Sequence, residues 1–159
     1  TEILVLTKLR VVFRGALMIY GQWGNVKKFD EWNESKKTTE STDRKVGIKP
    51  RELFWVKIGV NIGSEEYGKG ENFTRPVIII RRLTHDLFLG VPTTTSVKHD
   101  DYFHSFEYNH EKKGTNQTTA MILQVKVFST KRLMKRIGMI DKENFKMIQE
   151  KIKRLIDPT

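Results

Sequence analysis

The sequence predicts a mainly β protein with helical ends, its centre a small barrel or strongly curled sheet. Two observations carry this reading. From Pro50 onward, five or six short β-type segments follow one another, separated by turns. After the last of them, "DKENFKMIQEKIKRLI" (residues 141–156) switches to apolar spacings of three and four. A chain of 159 residues holds one compact domain plus an extension, and is long enough to bury a core.

Taken in order, the elements begin with "NVKKFDEWNESKK", where Val26, Phe29 and Trp32 recur every third residue behind Asn25 as N-cap. That spacing predicts a short amphipathic helix. Its simplest role is packing on the main domain; a regulatory or partner-binding role is the alternative. Residues 33–49, "NESKKTTESTDRKVGIK", are polar and lack an apolar period, so they read as linker or loop. Residues 1–49 thus form an N-terminal extension and residues 50–159 the main domain. The predicted strands are "ELFWVKIGV", "RPVIIIRRL", "DLFLGVPTTT", "DYFHSFEY", the long "TAMILQVKVF" and the short "RIGMI". The second is apolar enough to be central and buried. A helical turn opened by Ser129 is expected in "STKRLMKR". The final helix starts at Asp141 as N-cap and aligns Phe145, Ile148, Ile152 and Leu155, while Lys151, Lys153 and Arg154 complement its dipole.

Composition narrows the partners. Lys and Arg number 29 against 19 Asp and Glu, a net charge of +10. Such a balance favours a polyanion, nucleic acid above all, through counterion release and steering; the plainer reading is a solvated cationic face. There is no cysteine, which excludes disulfides and thiolate metal sites and fits the cytoplasm. No window approaches a membrane span, and Lys8, Arg10 and Arg14 interrupt the apolar N-terminal stretch, against a signal peptide. The chain begins with Thr1, and Met18 is a candidate natural start. His99, His104 and His110 lie beside Asp100 and Asp101, but ligation of a metal would need convergence from a strand and its flanking loops, and none is expected.

The stretch "IGSEEYGKGENFTRPVIII" joins a polar, glycine-punctuated loop to an Arg-Pro pair and a dry strand. Ordering so polar a loop costs entropy, and such loops commonly persist because something binds there. Pro76 pushes Arg75 into an extended conformation at the strand start. A planar, permanently charged fork there suits a phosphodiester gaining charge in a transition state; a surface ion pair with Glu65 or Glu66 is the plainer alternative. Thr93, Thr94 and Thr95 of "VPTTTS" offer hydroxyls to phosphate oxygens, though threonine is also an ordinary strand residue. In "LQVKVF", Gln124 and Lys126 alternate with apolar neighbours and share one face if the segment is a strand. Tyr67 and Phe73 in the loop can stack on unpaired bases.

In order, "ELFWVKIGVNIGSE…TRPVIII", "VPTTTS", "ILQVKVFSTKRLMKRIGMI" and the terminal helix resemble the MazF/PemK toxins of bacterial toxin–antitoxin modules, over about residues 50–156. The resemblance implies an SH3-like β-barrel with a C-terminal helix, a homodimer neutralised by a cognate antitoxin, and no cofactor. Typical members cut single-stranded RNA at short motifs without a metal. The resemblance places the catalytic arginine at Arg75, the catalytic threonine at Thr94, the acidic residue of "GSE" at Glu65, and the strand glutamine and basic residue at Gln124 and Lys126. It implies attack of the 2′-hydroxyl on its own phosphate, leaving a cyclic phosphate and a 5′-hydroxyl. A guanidinium holds its proton too tightly for an ordinary general acid, so electrostatic stabilisation is the expected role of Arg75. Glu65 is either base or orienter. Arg75→Ala and Thr94→Ala are expected to abolish cleavage with little loss of stability, neither residue being assigned to the core. The loop between "GSE" and "RP" is longer than in many members, so the cleavage motif does not carry over. A catalytically silent barrel that binds RNA or a protein is the rival reading. A gyrase-directed toxin of the same fold matches the "RP" and "P-x-T" pair poorly.

Overall fold

In a computed structural model, residues 28–43 and 45–157 are described. Met18, Asn25 and Val26 lie outside them. Among the described residues the order is α1 (Phe29–Glu40), β1 (Glu52–Lys57), β2 (Thr74–Arg82), β3 (Leu87–Thr94), β4 (Phe103–His110), β5 (Gly114–Met121), β6 (Lys126–Ser129), β7 (Leu133–Met139) and α2 (Lys142–Ile156). Short 3₁₀ turns η1 (Ile122–Gln124) and η2 (Thr130–Arg132) flank β6. The seven strands form one antiparallel sheet, mainly β architecture with a helix at each end.

The sheet curls on itself. β1 pairs with β2 and β7, β2 with β3, β3 with β5, β5 with β4, and β4 with β7, so six strands complete a circuit. β6 lies alongside the first half of β3. Strand β2 is the dry segment expected from sequence. Ile78 and Ile80 enter the cluster with Leu53, Phe106 and Ile137, while Val77 and Ile79 enter a second cluster with Phe54, Val56, Phe88 and Phe128. Both faces are therefore covered. Phe145, Ile148 and Ile152 bury the apolar stripe of α2 against the first cluster.

Two local expectations are corrected. The first helix continues to Glu40, through residues that read as linker, because Trp32 and Thr39 are buried by tertiary contact and override the polar pattern. "TAMILQVKVF" is not one strand. On β3, Gly90 faces Lys126 and Thr93 faces Ala120, so three steps along β3 correspond to six along the opposing chain. The surplus is taken up by η1, which buries Ile122 and leaves Leu123 about half exposed. Helical geometry in "STKRLMKR" is confined to η2, where the Ser129 hydroxyl accepts from the Lys131 N–H; Leu133 already belongs to β7.

Asp141 caps α2, accepting from the Asn144 backbone N–H at 2.9 Å and its side-chain amide at 2.7 Å. The side-chain bond first, then the backbone bond, hold its carboxyl below the usual aspartate value. A depressed folded value means the cap stabilises above the unfolded value and fades as pH falls through the folded one. Asp141→Ala is expected to lose about 0.5–2 kcal/mol at pH 7. In urea unfolding its deficit should shrink below about pH 4; a deficit that stays constant into acid would exclude this account.

Candidate active site

Arg75 stands second in β2, opposite Val56 of β1. It is only 7% exposed, which corrects the expectation that it lies outside the core. Its guanidinium is fixed from three directions: Nε donates to Tyr67 O (2.6 Å), one terminal nitrogen donates to Thr93 O (3.4 Å), and the other is ion-paired with Glu66. The Tyr67 ring lies beside it, its centroid 5.7 Å from Cζ. A guanidinium held this way keeps one orientation, which is the condition for preorganised charge stabilisation.

The carboxylate on Arg75 is Glu66. Its neighbour Glu65 closes a turn, donating its N–H to Ile62 O (3.1 Å), and remains exposed with a long contact from Ile62 N–H to its carboxylate (3.4 Å). Glu66 is the first residue past that turn. Gln124 holds this segment. Its Oε1 accepts from Glu66 N–H (3.0 Å) and its Nε2 donates to Ser64 O (3.1 Å). The glutamine therefore acts from a 3₁₀ turn onto the loop backbone, rather than standing beside Lys126 on a strand face. Lys126 is exposed on β6, its ammonium 5.4 Å from the Phe128 ring centroid. Desolvation lowers its pKa, the Arg132 charge adds to that, and Glu65 opposes it.

A cleft of about 160 Å³ opens at Arg75. Trp55, Lys69, Thr74, Pro76, Thr93, Thr94, Thr95 and Thr118 line it with Arg75. Thr94 is half-buried, its hydroxyl accepting from Ser96 N–H (3.3 Å), and Thr95 is exposed. Two sequence-predicted contacts prove buried. Thr93, which also lines the cleft, is only 1% exposed, and its hydroxyl donates to Pro76 O (3.2 Å), tying β3 to β2. Phe73 is buried, with its ring 5.5 Å from that of Trp32, and is not available to stack on a base. Tyr67 remains exposed beside the cleft arginine. Sequence reasoning did not single out Trp55, Lys69 or Thr118. Trp55 sits in β1 with buried neighbours on both sides yet is itself partly exposed. Lys69 is one cation in a loop with no period to mark it.

Among the described residues no group of His, Asp and Glu is placed to hold a metal ion. His104 instead bonds Asn144 (2.8 Å), and His110 accepts from Lys112 N–H (3.0 Å). No described helix is long and apolar enough to cross a membrane.

The fold and cleft define a small curled-sheet protein with an anchored arginine at the mouth of a hydroxyl-lined groove. The chain belongs to the family of PemK-like, MazF-like toxins of type II toxin–antitoxin systems, whose profile matches residues 49–156. Solved structures agree on the fold. The Mycobacterium tuberculosis toxin MazF-mt6 superposes with a TM-score of 0.50 at 15% identity, covering 67% of this chain and 97% of its own. MazF from Deinococcus radiodurans gives 0.55 at 13% identity, covering 70% and 97%. An endoribonuclease in complex with its cognate antitoxin, from a mycobacterial species, gives 0.51 at 9% identity, covering 69% and 95%. No curated protein matches the chain.

Proposed function

We propose that this toxin is an endoribonuclease that cuts single-stranded RNA without a metal and is neutralised by a cognate antitoxin, acting as a homodimer. The observation that carries the reading is Arg75. It is a buried, permanently charged fork whose orientation is set by Tyr67 O, Thr93 O and Glu66, at the edge of a cleft bearing Thr94, Thr95 and Lys69. The antitoxin assignment draws on the family and on the related endoribonuclease solved with its antitoxin.

RNA carries its own nucleophile. The 2′-hydroxyl attacks the adjacent phosphorus, the bond to the 5′-oxygen breaks, and a 2′,3′-cyclic phosphate and a 5′-hydroxyl remain. Arg75 stabilises the charge that grows on the phosphoryl oxygens, and the Thr94 hydroxyl binds one of them against it. Glu66 is assigned the orienting role because it touches Arg75. Glu65, exposed on the turn before it, is the remaining candidate for the base that takes the 2′-proton. Tyr67 and Trp55 offer faces for unpaired bases, while Lys69, Thr95 and Lys126 supply backbone contacts.

Purified protein incubated with a long unstructured RNA in excess EDTA is expected to give discrete cuts with 5′-hydroxyl ends. Thr94→Ala should slow them about 10²–10³-fold, the scale of losing one preorganised donor, and Thr94→Ser should retain most of the rate. Intact RNA from folded, antitoxin-free protein would shift the assignment to a silent RNA- or protein-binding barrel. Full activity in Thr94→Ala would remove that residue from the site.

A further inference from the structure

The loop that fixes Arg75 has two stems. One runs through Lys57, Ile58 and Gly59, the other through Phe73 and Thr74, and they are joined where Ile58 N–H and Gly59 N–H both donate to Phe73 O (3.0 and 3.1 Å). Between them, Gly68 N–H donates to Gly59 O (2.7 Å), which brings Tyr67 and Glu66 over the guanidinium. Both stem residues carry positive φ: +92° at Gly59 and +53° at Phe73. For phenylalanine that conformation costs about 1 kcal/mol or more and persists only where surroundings impose it.

The surroundings are supplied by α1. Trp32, 5% exposed, lies on Gly59 so closely that a Cβ there would stand 2.1 Å from the indole, and it packs its ring against Phe73. Arg132 covers the indole, its Cζ 5.6 Å from the ring centroid, and donates to Lys57 O (2.9 Å) and Ile58 O (3.3 Å) in the first stem. The helix is pinned at its far end as well. Lys57 Nζ donates to the Thr39 hydroxyl (3.2 Å), and Lys131 Nζ to Glu40 O (2.7 Å) and its carboxylate (2.9 Å). Helix α1 lies wholly before residue 49, where the family match begins.

We propose that Trp32 is a positioning residue: helix α1, lying outside the matched family segment, clamps both stems of the Glu66–Tyr67 loop and thereby sets the orientation of Arg75. The path is short and physical, from indole to Gly59 and Phe73, from Gly59 O to Gly68, and from the adjoining Tyr67 O and Glu66 to the guanidinium. Its catalytic consequence rests on the ribonuclease reading; the bracing itself does not.

The test uses the full chain with Trp32→Ala and Trp32→Phe. Proton exchange is followed by NMR at the Arg75 Nε–H and the Gly68 amide, with Leu53 and Val91 as core references. Trp32→Ala is expected to speed exchange at both loop sites about tenfold or more while Leu53 and Val91 keep their protection, the signature of local opening. Trp32→Phe should restore most of it, since an aromatic ring still covers Gly59. In RNA cleavage, kcat should fall at least about tenfold in Trp32→Ala with KM little changed, as expected when geometry in the transition state is lost. Unchanged exchange at the two loop sites, or acceleration shared equally by Leu53 and Val91, overturns the brace. A loosened loop with unchanged kcat overturns its role in positioning Arg75 for the reaction. If wild-type protein leaves RNA intact, the ribonuclease reading fails and the exchange comparison alone decides the brace.

Discussion

Arg75→Ala is expected to abolish RNA cleavage and also to destabilise the fold by about 3–5 kcal/mol, the scale of leaving one partner of a buried ion pair uncompensated. The side chains of Arg75 and Glu66 are 8% and 17% exposed, so removing the guanidinium leaves the Glu66 carboxylate charged and largely out of water. Tyr67 O and Thr93 O each lose the bond from Arg75 in the same step. Loss of activity in this variant would therefore be ambiguous by itself. The double variant Arg75→Met, Glu66→Leu separates the two effects: removing both charges should recover much of the stability while cleavage stays absent. Arg75→Lys keeps the charge but not the fork, and should remain folded while losing most of the rate. Unfolding curves in urea and cleavage in EDTA report both quantities. If Arg75→Ala proves as stable as wild type, the buried pair described above is not the state in solution; if it cleaves RNA normally, the site is elsewhere.

Gly68→Ala is expected to lower cleavage about 10²-fold or more, the cost of misplacing a catalytic group by about 1 Å. A Cβ at Gly68 would lie 1.8 Å from Phe73 O and 2.0 Å from its carbonyl carbon. The obstacle is backbone, so no rotamer change relieves it. The Gly68 segment must move off the Phe73 stem, carrying the adjoining Tyr67 O away from Arg75, with a stability loss of about 1–3 kcal/mol typical of overpacking. Gly70 is the control. Its φ is +69° but nothing lies within 4 Å of where its Cβ would be, so Gly70→Ala should cost about 1 kcal/mol through backbone conformation and leave the cleft intact. Equal activity in Gly68→Ala and wild type would show that Tyr67 does not need to close on Arg75.

Much of the architecture was legible because it rests on local rules. β2 reads as a dry strand because four apolar residues in succession, Val77 to Ile80, must find two apolar faces. Asp141 reads as a cap because a carboxylate before an apolar stripe satisfies orphan N–H groups. Six short segments in register, from the Trp-bearing first strand through "GSE", "RPV", "VPTTTS" and "LQVKVF" to the "RL…RIG" turn, were together enough to reach the family that the profile confirms. The long strand ending in Phe128 was misread for a reason no periodicity reveals, since its break is forced by unequal lengths against β3. The polar second half of α1 hid the helix because tertiary contacts at Trp32 and Thr39, rather than propensity, sustain it.

The sequence by itself determined β1 to β4, β7 and the terminal helix, which follow from neighbours within a few residues, and its composition set the basic charge. Only the tertiary structure decided that Glu66 rather than Glu65 meets Arg75, that Phe73 and Thr93 are buried, and that Gln124 holds a loop about sixty residues before it. The physical reason is the same in each case. A polar loop has no intrinsic conformation to read, and which of its side chains turn inward is set by what distant parts of the chain place against it, here Trp32 on Gly59 and Gln124 on Glu66.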